Sequence, residues 1–95
     1  MIRILTADGP ASTTVTIDGR LAGDSIDPVE TCCTQAISKG KPVRLFLRDV
    51  YVIDEPGRAL LCRLAARGVR LKASGIYSSY VIGAIRPEAQ KQDDV

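Results

Sequence analysis

Apolar residues are most concentrated between residues 43 and 53, and their pattern predicts a β-strand. The first part of this run is interrupted only by Arg44, and Tyr51, Val52 and Ile53 extend the apolar character up to an acidic turn. A short run of this kind fits a strand that is covered on both faces.

A helix is predicted directly after this strand. Asp54 or Glu55 can serve as its N-cap, and Pro56 suits the first turn, where a backbone N–H would lack an intrahelical partner anyway. At the other end, Gly68 can adopt the left-handed backbone conformation that commonly ends a helix. One side of the predicted helix is apolar and consists of Ala59, Leu60, Leu61, Leu64 and Ala65.

The next segment predicts a second strand at residues 69–73. Val69, Leu71 and Ala73 alternate with Arg70 and Lys72, so this strand has one apolar face and one basic face. Residues 43–73 therefore form a βαβ unit. Because α/β sheets bind their ligands at the carboxyl ends of parallel strands, we expect a site at the acidic turn between strand and helix.

The amino-terminal half predicts two strands and a helix. Residues 2–6 and 12–17 are strand-like segments separated by a turn at residues 8–10, and the Asp18–Gly19 pair indicates a further turn. Asp27, Pro28 and Glu30 then form a capping arrangement for a helix that ends at Gly40.

The carboxyl-terminal part predicts a last helix at residues 76–85, with Ile76, Tyr80, Val81 and Ala84 facing inward. Residues 86–95 are polar and are expected to form a tail. The element order ββαβαβα predicts an α/β fold, with a mixed central sheet of about four strands, an antiparallel edge strand and helices packed against the sheet. We expect one domain over residues 1–95, with its core in residues 2–85.

The charge balance argues against a nucleic-acid partner. The 95 residues include 13 Lys and Arg against 11 Asp and Glu, which leaves a net charge of +2. Because the basic residues are spread along strands and helices, we expect no basic surface that would bind nucleic acid.

The amino terminus lacks the hydrophobic core of a secretory signal, and no apolar run is long enough to span a bilayer. We therefore expect a cytoplasmic protein with no membrane contact.

The 3 cysteines are expected to be reduced thiols, because they lack the even, paired spacing of a disulfide framework. Cys32 and Cys33 occupy apolar positions of the first helix, where small thiols pack well. The chain has no histidine to act as a base or as a metal ligand. We therefore expect no metal, no cofactor and no catalytic residue.

The order of the elements and three sequence words resemble the STAS domain, which occurs in bacterial anti-sigma-factor antagonists and at the cytoplasmic end of sulfate transporters. The words are GRLAGDSIDP, LFLRDVYVIDEPGRALLCRLAARGVRL and KASG, and the resemblance covers roughly residues 2–85. In the family pattern a strand ends in Asp, then Ser or Thr, then Ser or Ala, then Gly, and a partner kinase phosphorylates the first hydroxyl after the Asp. Asp54 and Gly57 match this pattern, whereas Glu55 and Pro56 do not.

The resemblance implies a non-catalytic protein–protein interaction module that regulates bacterial partner switching. Glu55 then places a fixed carboxylate where relatives carry a switchable hydroxyl, and the protein partner implied is a regulator resembling an anti-sigma serine kinase. Relatives often carry an acid directly after Gly-Arg-Leu, where this chain has Ala22, and Asp24 is a possible substitute. A homodimer is also possible. The partner surface implied by the resemblance consists of Asp24, Ser25, Asp27, Asp54, Glu55, Pro56, Gly57, Arg58, Cys62 and Arg63.

Other interpretations stay open at this point. Asp54 and Glu55 can simply cap a helix, as such residues commonly do. A STAS-like domain that senses a small ligand or a nucleotide is the main alternative function, and an enzyme that uses Cys62 or the two acids is a third. Ser74, Ser78 and Ser79 are alternative phosphorylation sites, with Ser78 and Ser79 expected in solvent.

Overall fold

A computed structural model describes residues 2–85, which fold into a four-stranded sheet with three helices. The predicted element order ββαβαβα and the α/β fold class are confirmed. A short 3₁₀ turn, Gly23–Ser25, precedes the first helix. The elements are β1 (Ile2–Asp8), β2 (Thr13–Leu21), α1 (Ile26–Ser38), β3 (Val43–Ile53), α2 (Glu55–Ala66), β4 (Arg70–Ala73) and α3 (Ile76–Ile85). The predicted tail at 86–95 lies outside the described residues.

The strands lie side by side in the order β1-β2-β3-β4, with β1 antiparallel to β2 and the other two pairings parallel. The predicted antiparallel edge strand is therefore confirmed as β1. The predicted turn at Asp18–Gly19 is wrong, because β2 continues through it to Leu21. The register between β2 and β3 shifts on both sides of this pair, and Gly19 has a φ of 110°. The two extra residues, Arg48 and Tyr51, lie on β3, and Gly19 lies opposite this irregular stretch of β2. A glycine at positive φ within an irregular strand has the same local signature as a turn.

The hydrophobic core lies on one side of the sheet. Alternate residues of the strands meet the buried sides of the helices in a single cluster, whose fully buried members include Val15, Ile17, Leu21, Val29, Cys33, Leu45, Leu47, Leu60, Leu61 and Leu64. The prediction that β3 is covered on both faces is wrong. Along its first half, Val43, Leu45 and Leu47 are buried, whereas Arg44 is exposed and Phe46 half-buried. Among residues 2–85, no helix covers the opposite face of the sheet, which we refer to as the open face.

The start of α1 differs from the prediction. The helix begins at Ile26 with Ser25 as its N-cap, and no side-chain hydrogen bond is made at the cap. Glu30 does not reach back to the helix start. Its carboxylate instead accepts hydrogen bonds from the Arg63 guanidinium of α2, at 3.1 and 3.2 Å. Glu30 therefore joins the two helices.

The predicted inward face of α3 is wrong for three of its four residues. Val81 is buried as predicted, but Ile76 and Tyr80 are 92% and 76% exposed, and Ala84 is also exposed. The buried side carries Ser78, Val81 and Ile82. Because α3 is apolar around most of its circumference, its hydrophobic pattern indicates no preferred face. No helix among residues 2–85 is long and apolar enough to cross a membrane.

Three hydroxyl groups around the start of α3 cover the edge of β3 that β4 leaves unpaired. β4 pairs with β3 only from Arg44 to Leu47. Beyond this point Ser74 Oγ donates to the Arg48 carbonyl at 2.8 Å, and Ser78 Oγ donates to the Val50 carbonyl at 2.8 Å. The Ile53 N–H donates to Tyr77 Oη at 2.9 Å. Ser78 is 1% exposed, so its expected place in solvent is wrong and its hydroxyl is out of a kinase's reach.

Candidate functional site at the Asp54 turn

Asp54 is the N-cap of α2, which confirms one of the two predicted caps. Its backbone is extended, with φ −86° and ψ −175°, and its Oδ1 accepts a hydrogen bond from the Gly57 N–H at 2.8 Å. Glu55 is therefore the first residue of the helix and Pro56 the second. A carboxylate in this position satisfies one of the free N–H groups at the helix start and suits the helix dipole.

The same carboxylate also binds the loop that follows β2. Asp54 Oδ2 accepts a hydrogen bond from the Gly23 N–H at 3.2 Å, across 31 positions of sequence. The Asp54 N–H in turn donates to the Leu21 carbonyl at 3.4 Å. One half-buried side chain thus connects the loop before α1 to the first turn of α2. We refer to Gly23, Asp54, Gly57 and the bonds between them as the Asp54 bridge.

Gly57 is the residue that lets the two segments approach so closely. A Cβ atom at this position would lie 2.3 Å from the Leu21 carbonyl oxygen, 3.2 Å from Asp54 Oδ1 and 3.2 Å from Ile53 Cγ2. The nearest of these atoms belongs to the backbone and cannot swing away like the end of a side chain. The geometry therefore accepts only glycine here.

An open depression of about 650 Å³ lies beside the Asp54 bridge. It is lined by Ile2, Arg20, Ala22, Gly23, Asp24, Ser25 and Asp54. The structure therefore brings three of the predicted residues, Asp24, Ser25 and Asp54, around one depression. Ser25 is 8% exposed and offers little surface for contact with a partner.

Arg20 also lines this depression and was missed in the sequence analysis. The Asp18–Gly19 pair indicates a turn, which placed Arg20 outside the strands. In the structure it is an exposed residue of β2 beside the acidic groups of Asp24 and Asp54. The sequence Gly19-Arg20-Leu21 did contain a signal for Arg20. An apolar Leu21 is expected to face the core, as it does, and strand alternation then turns Arg20 outward.

The remaining predicted residues lie outside the depression, and all of them except Asp27 lie on α2. Glu55, Pro56, Arg58 and Cys62 are all exposed. Residues three, four and seven apart on a helix share one face, so Glu55, Arg58 and Cys62 form a continuous solvent-facing strip. Asp27 is exposed at the start of α1, and Arg63 is engaged by Glu30. We refer to the strip of Glu55, Arg58 and Cys62 as the α2 strip.

The start of α2 has few donors left for a bound anion. The Gly57 N–H is used by the Asp54 side chain, the Arg58 N–H donates to the Asp54 carbonyl at 2.9 Å, and Pro56 has no N–H. Within residues 2–85 there is also no group of three His, Cys, Asp or Glu side chains that could hold a metal ion. The geometry of this turn suits contact with a protein surface better than capture of a phosphate.

The cysteines differ in their surroundings. Cys33 is fully buried, and burial raises the pKa of its thiol to about 11. Cys32 is half-buried and Cys62 is exposed on the α2 strip. The expected core packing is therefore confirmed for Cys33 and only in part for Cys32.

We expect iodoacetamide at mildly alkaline pH to alkylate Cys62 at least about a hundredfold faster than Cys33. Only the thiolate reacts, and each unit of raised pKa lowers the thiolate fraction tenfold, to which burial adds loss of access. Mass spectrometry of peptides after a time course measures both rates. Equal rates in the folded protein would contradict the burial of Cys33, and unfolding in urea should make the rates converge.

No known family model matches the chain, and no curated protein sequence matches it. Nine chains of known structure match its fold, including the following two. An anti-sigma factor antagonist from Mycobacterium paratuberculosis superposes with a TM-score of 0.67 at 18% identity, over 79% of this chain and 69% of that protein. A second structure, of Mglu, superposes with a TM-score of 0.60 at 24% identity, over 76% of this chain but 19% of that protein. At these identities the likeness establishes the fold.

Proposed function

We propose that this chain is a non-catalytic protein-interaction module that docks a regulatory partner through the Asp54 bridge and the α2 strip. The observation that carries the proposal is the capping of α2 by Asp54, which presents Glu55 as the first exposed residue of the helix. The fold shared with an anti-sigma factor antagonist supports a role of this class. The partner proposed is a protein resembling an anti-sigma serine kinase, within bacterial partner switching in the cytoplasm.

Glu55 is proposed to act as a permanent negative charge where related proteins switch a hydroxyl by phosphorylation. Its position in the first turn of α2 favours a negative charge through the helix dipole. A glutamate has about half the charge of a phosphoryl group and fewer acceptor oxygens, so it reproduces the phosphorylated state only in part. The expected consequence is weak binding of the kinase-like partner by the wild-type chain.

The test compares the wild type with Glu55→Ser as baits in a quantitative affinity pull-down from the native cytoplasm. We expect Glu55→Ser to enrich a serine-kinase-like regulator at least about tenfold over the wild type, which corresponds to about 1.4 kcal/mol of binding free energy. The recovered regulator and ATP should then phosphorylate Ser at position 55. Asp49→Ser is the matched control, because it removes an exposed acidic residue from β3, outside the Asp54 bridge and the α2 strip, and should behave like the wild type.

Equal capture of the same partner by both baits would contradict this proposal and leave Glu55 as an ordinary charge at a helix start. Phosphorylation of the wild-type chain on Glu55 itself would contradict it as well.

The depression beside Arg20 supports a second candidate function, the sensing of a small ligand or a nucleotide. Arg20 supplies one positive charge to a depression that Asp24 and Asp54 also line, and the site lies where the parallel strands β2 and β3 end. Saturable nucleotide binding that Arg20→Ala abolishes would favour this function over the first.

A further inference from the structure

The open face of the sheet gathers basic residues that are far apart in the sequence. Outward positions of the four strands carry 6 basic side chains, Arg3, Arg20, Arg44, Arg48, Arg70 and Lys72, and 2 acidic ones, Asp18 and Asp49. The premise that the basic residues are not clustered is therefore wrong. Alternation along each strand sends them all to the side that no helix covers.

The basic residues concentrate on β3 and β4. Arg44 is the direct cross-strand partner of Arg70, and Phe46 is the partner of Lys72. Arg44, Arg70 and Lys72 are exposed, whereas Phe46 is half-buried between them and Thr16 of β2. We refer to Arg44, Arg70 and Lys72 as the basic sheet patch.

The basic sheet patch is left without compensating charge. The ion pairs among residues 2–85 join Lys41 to Asp8, Arg48 to Asp18 and Arg63 to Glu30, and none includes a residue of the patch. Like charges directly opposite each other in a sheet are destabilising. An anionic partner that lies across both strands would remove this repulsion.

The same face shows how its arginines bind a carboxylate. Arg48 donates from Nε to Asp18 Oδ1 at 3.0 Å and from Nη2 to Asp18 Oδ2, so both carboxylate oxygens are held. This ion pair also holds the pKa of the Asp18 carboxyl below its usual value. The planar guanidinium fork suits bidentate carboxylate binding, and Arg44 and Arg70 offer the same fork to a carboxylate from outside.

The strand arrangement indicates the shape of the partner. β4 is the last strand of the sheet that residues 2–85 form, and Arg70 and Lys72 point outward from alternate positions of it. An extended chain laid beside β4 would bring its own alternate side chains to the same face at the same repeat. Carboxylates at alternate positions of such a chain would meet Arg70 and Lys72 in turn.

From these observations we propose that the basic sheet patch is a second docking surface, for an extended acidic segment of a protein partner. The segment lies along the outer edge of β4, with alternate carboxylates on Arg70 and Lys72 and with Arg44 sharing the first of them. A single strand of nucleic acid fits less well, because the patch offers one half-buried phenylalanine and stacking platforms need exposed aromatic rings. A membrane surface fits less well too, because a lipid layer cannot pair with the free backbone groups at the outer edge of β4, whereas an extended peptide can.

The experiment measures fluorescence anisotropy with a short labelled peptide of alternating Glu and Thr, and with the same peptide carrying Gln in place of Glu. We expect saturable binding of the Glu peptide that weakens with salt. The double variant Arg70→Glu/Lys72→Glu should weaken it at least about tenfold, the effect of roughly 1.4 kcal/mol. Lys39→Glu is the control, because it reverses an exposed charge at the end of α1 and should leave binding unchanged.

Measuring the Tm together with binding distinguishes loss of the binding surface from loss of the fold. Arg70→Glu alone replaces a like-charge pair with an opposite-charge pair beside Arg44, so its Tm should be equal to or above that of the wild type while its binding falls. The double variant should in addition bind a peptide of alternating Lys and Thr that the wild type does not bind.

Three outcomes would overturn the proposal. One is the absence of saturable Glu-peptide binding by the wild type, and another is an equal loss in Lys39→Glu. The third is tighter binding of a single-stranded oligonucleotide of equal charge, or of phosphatidylserine vesicles, which would assign the face to nucleic acid or to a membrane. None of these readouts involves the Asp54 bridge, so the two docking proposals fail independently.

Discussion

Gly57→Ala is expected to destabilise the domain by about 3 kcal/mol, which is the upper part of the range for forcing atoms into a packed site. The added methyl group would sit 2.3 Å from the Leu21 carbonyl oxygen, and this oxygen accepts the Asp54 N–H. Relief requires that α2 move away from the end of β2. That movement breaks the bond from Gly57 to Asp54 and opens the contact on which the candidate site depends.

Urea denaturation followed by circular dichroism measures this effect, and Gly83→Ala is the matched control. Gly83 lies within α3, and a methyl group there would meet nothing within 4 Å. The control should therefore stabilise the protein by about 0.5–1 kcal/mol, because alanine loses less backbone entropy in a helix than glycine does. If Gly57→Ala lost less than about 0.5 kcal/mol, as an ordinary surface substitution does, the contact between residue 57 and the Leu21 carbonyl would not be rigid.

Asp54→Ala is expected to cost about 2 kcal/mol of the free energy of unfolding. Loss of an N-cap typically costs about 1 kcal/mol, and the hydrogen bond from the Gly23 N–H to the same carboxylate adds a contribution of similar size. The expected loss of unfolding free energy does not exceed about 2 kcal/mol, because the carboxylate is only half-buried and the Gly23 hydrogen bond is exposed to water.

Asp54→Asn separates the two contributions. Asparagine is about as good an N-cap as aspartate, but it has one acceptor oxygen, so it can keep the Gly57 bond and lose the Gly23 bond. We expect it to lose about half as much stability as Asp54→Ala. Amide hydrogen exchange at Gly23 should accelerate in both variants, and exchange at Gly57 only in Asp54→Ala. Unchanged exchange at Gly23 would contradict the Asp54 bridge.

The central βαβ unit could be predicted from the sequence because each local signal there agreed with the others. The apolar run of β3, the acid and proline at the start of α2 and the alternation of β4 all favour the same structure. The sequence also limited the N-cap of α2 to Asp54 or Glu55, whereas the need for glycine at position 57 depends on the approach of the Leu21 carbonyl and is a property of the folded chain. Where the local preferences for strand, helix and turn agree with the packing of the whole domain, a prediction from sequence holds.

The errors arose where one local pattern fits two structures. Asp18–Gly19 is compatible with a turn and with a bulge, and only the pairing of β2 with β3 decides between them. This error also concealed Arg20. In α3, ten residues without a charged side chain leave the buried face to be set by contacts with β3, such as the Ser78 bond to Val50.

The open basic face shows a different kind of limit. Arg3, Arg44 and Lys72 are separated by dozens of positions, so a count of charges along the chain finds them dispersed. Each strand on its own alternates as expected, but the strand order and the absence of a helix layer on that side determine which alternate positions combine. These are properties of the assembled sheet.

The hydrogen bonds of Ser74, Tyr77 and Ser78 to β3 also bear on self-association through strand edges. Half of β3 extends past the end of β4, and an uncovered strand edge of this length is a template on which a second chain can polymerise. The three side chains occupy that template without forming a strand of their own. Proteolytic removal of α3 is therefore expected to do more than shorten the chain, since it would expose an unpaired strand edge on which further chains can assemble.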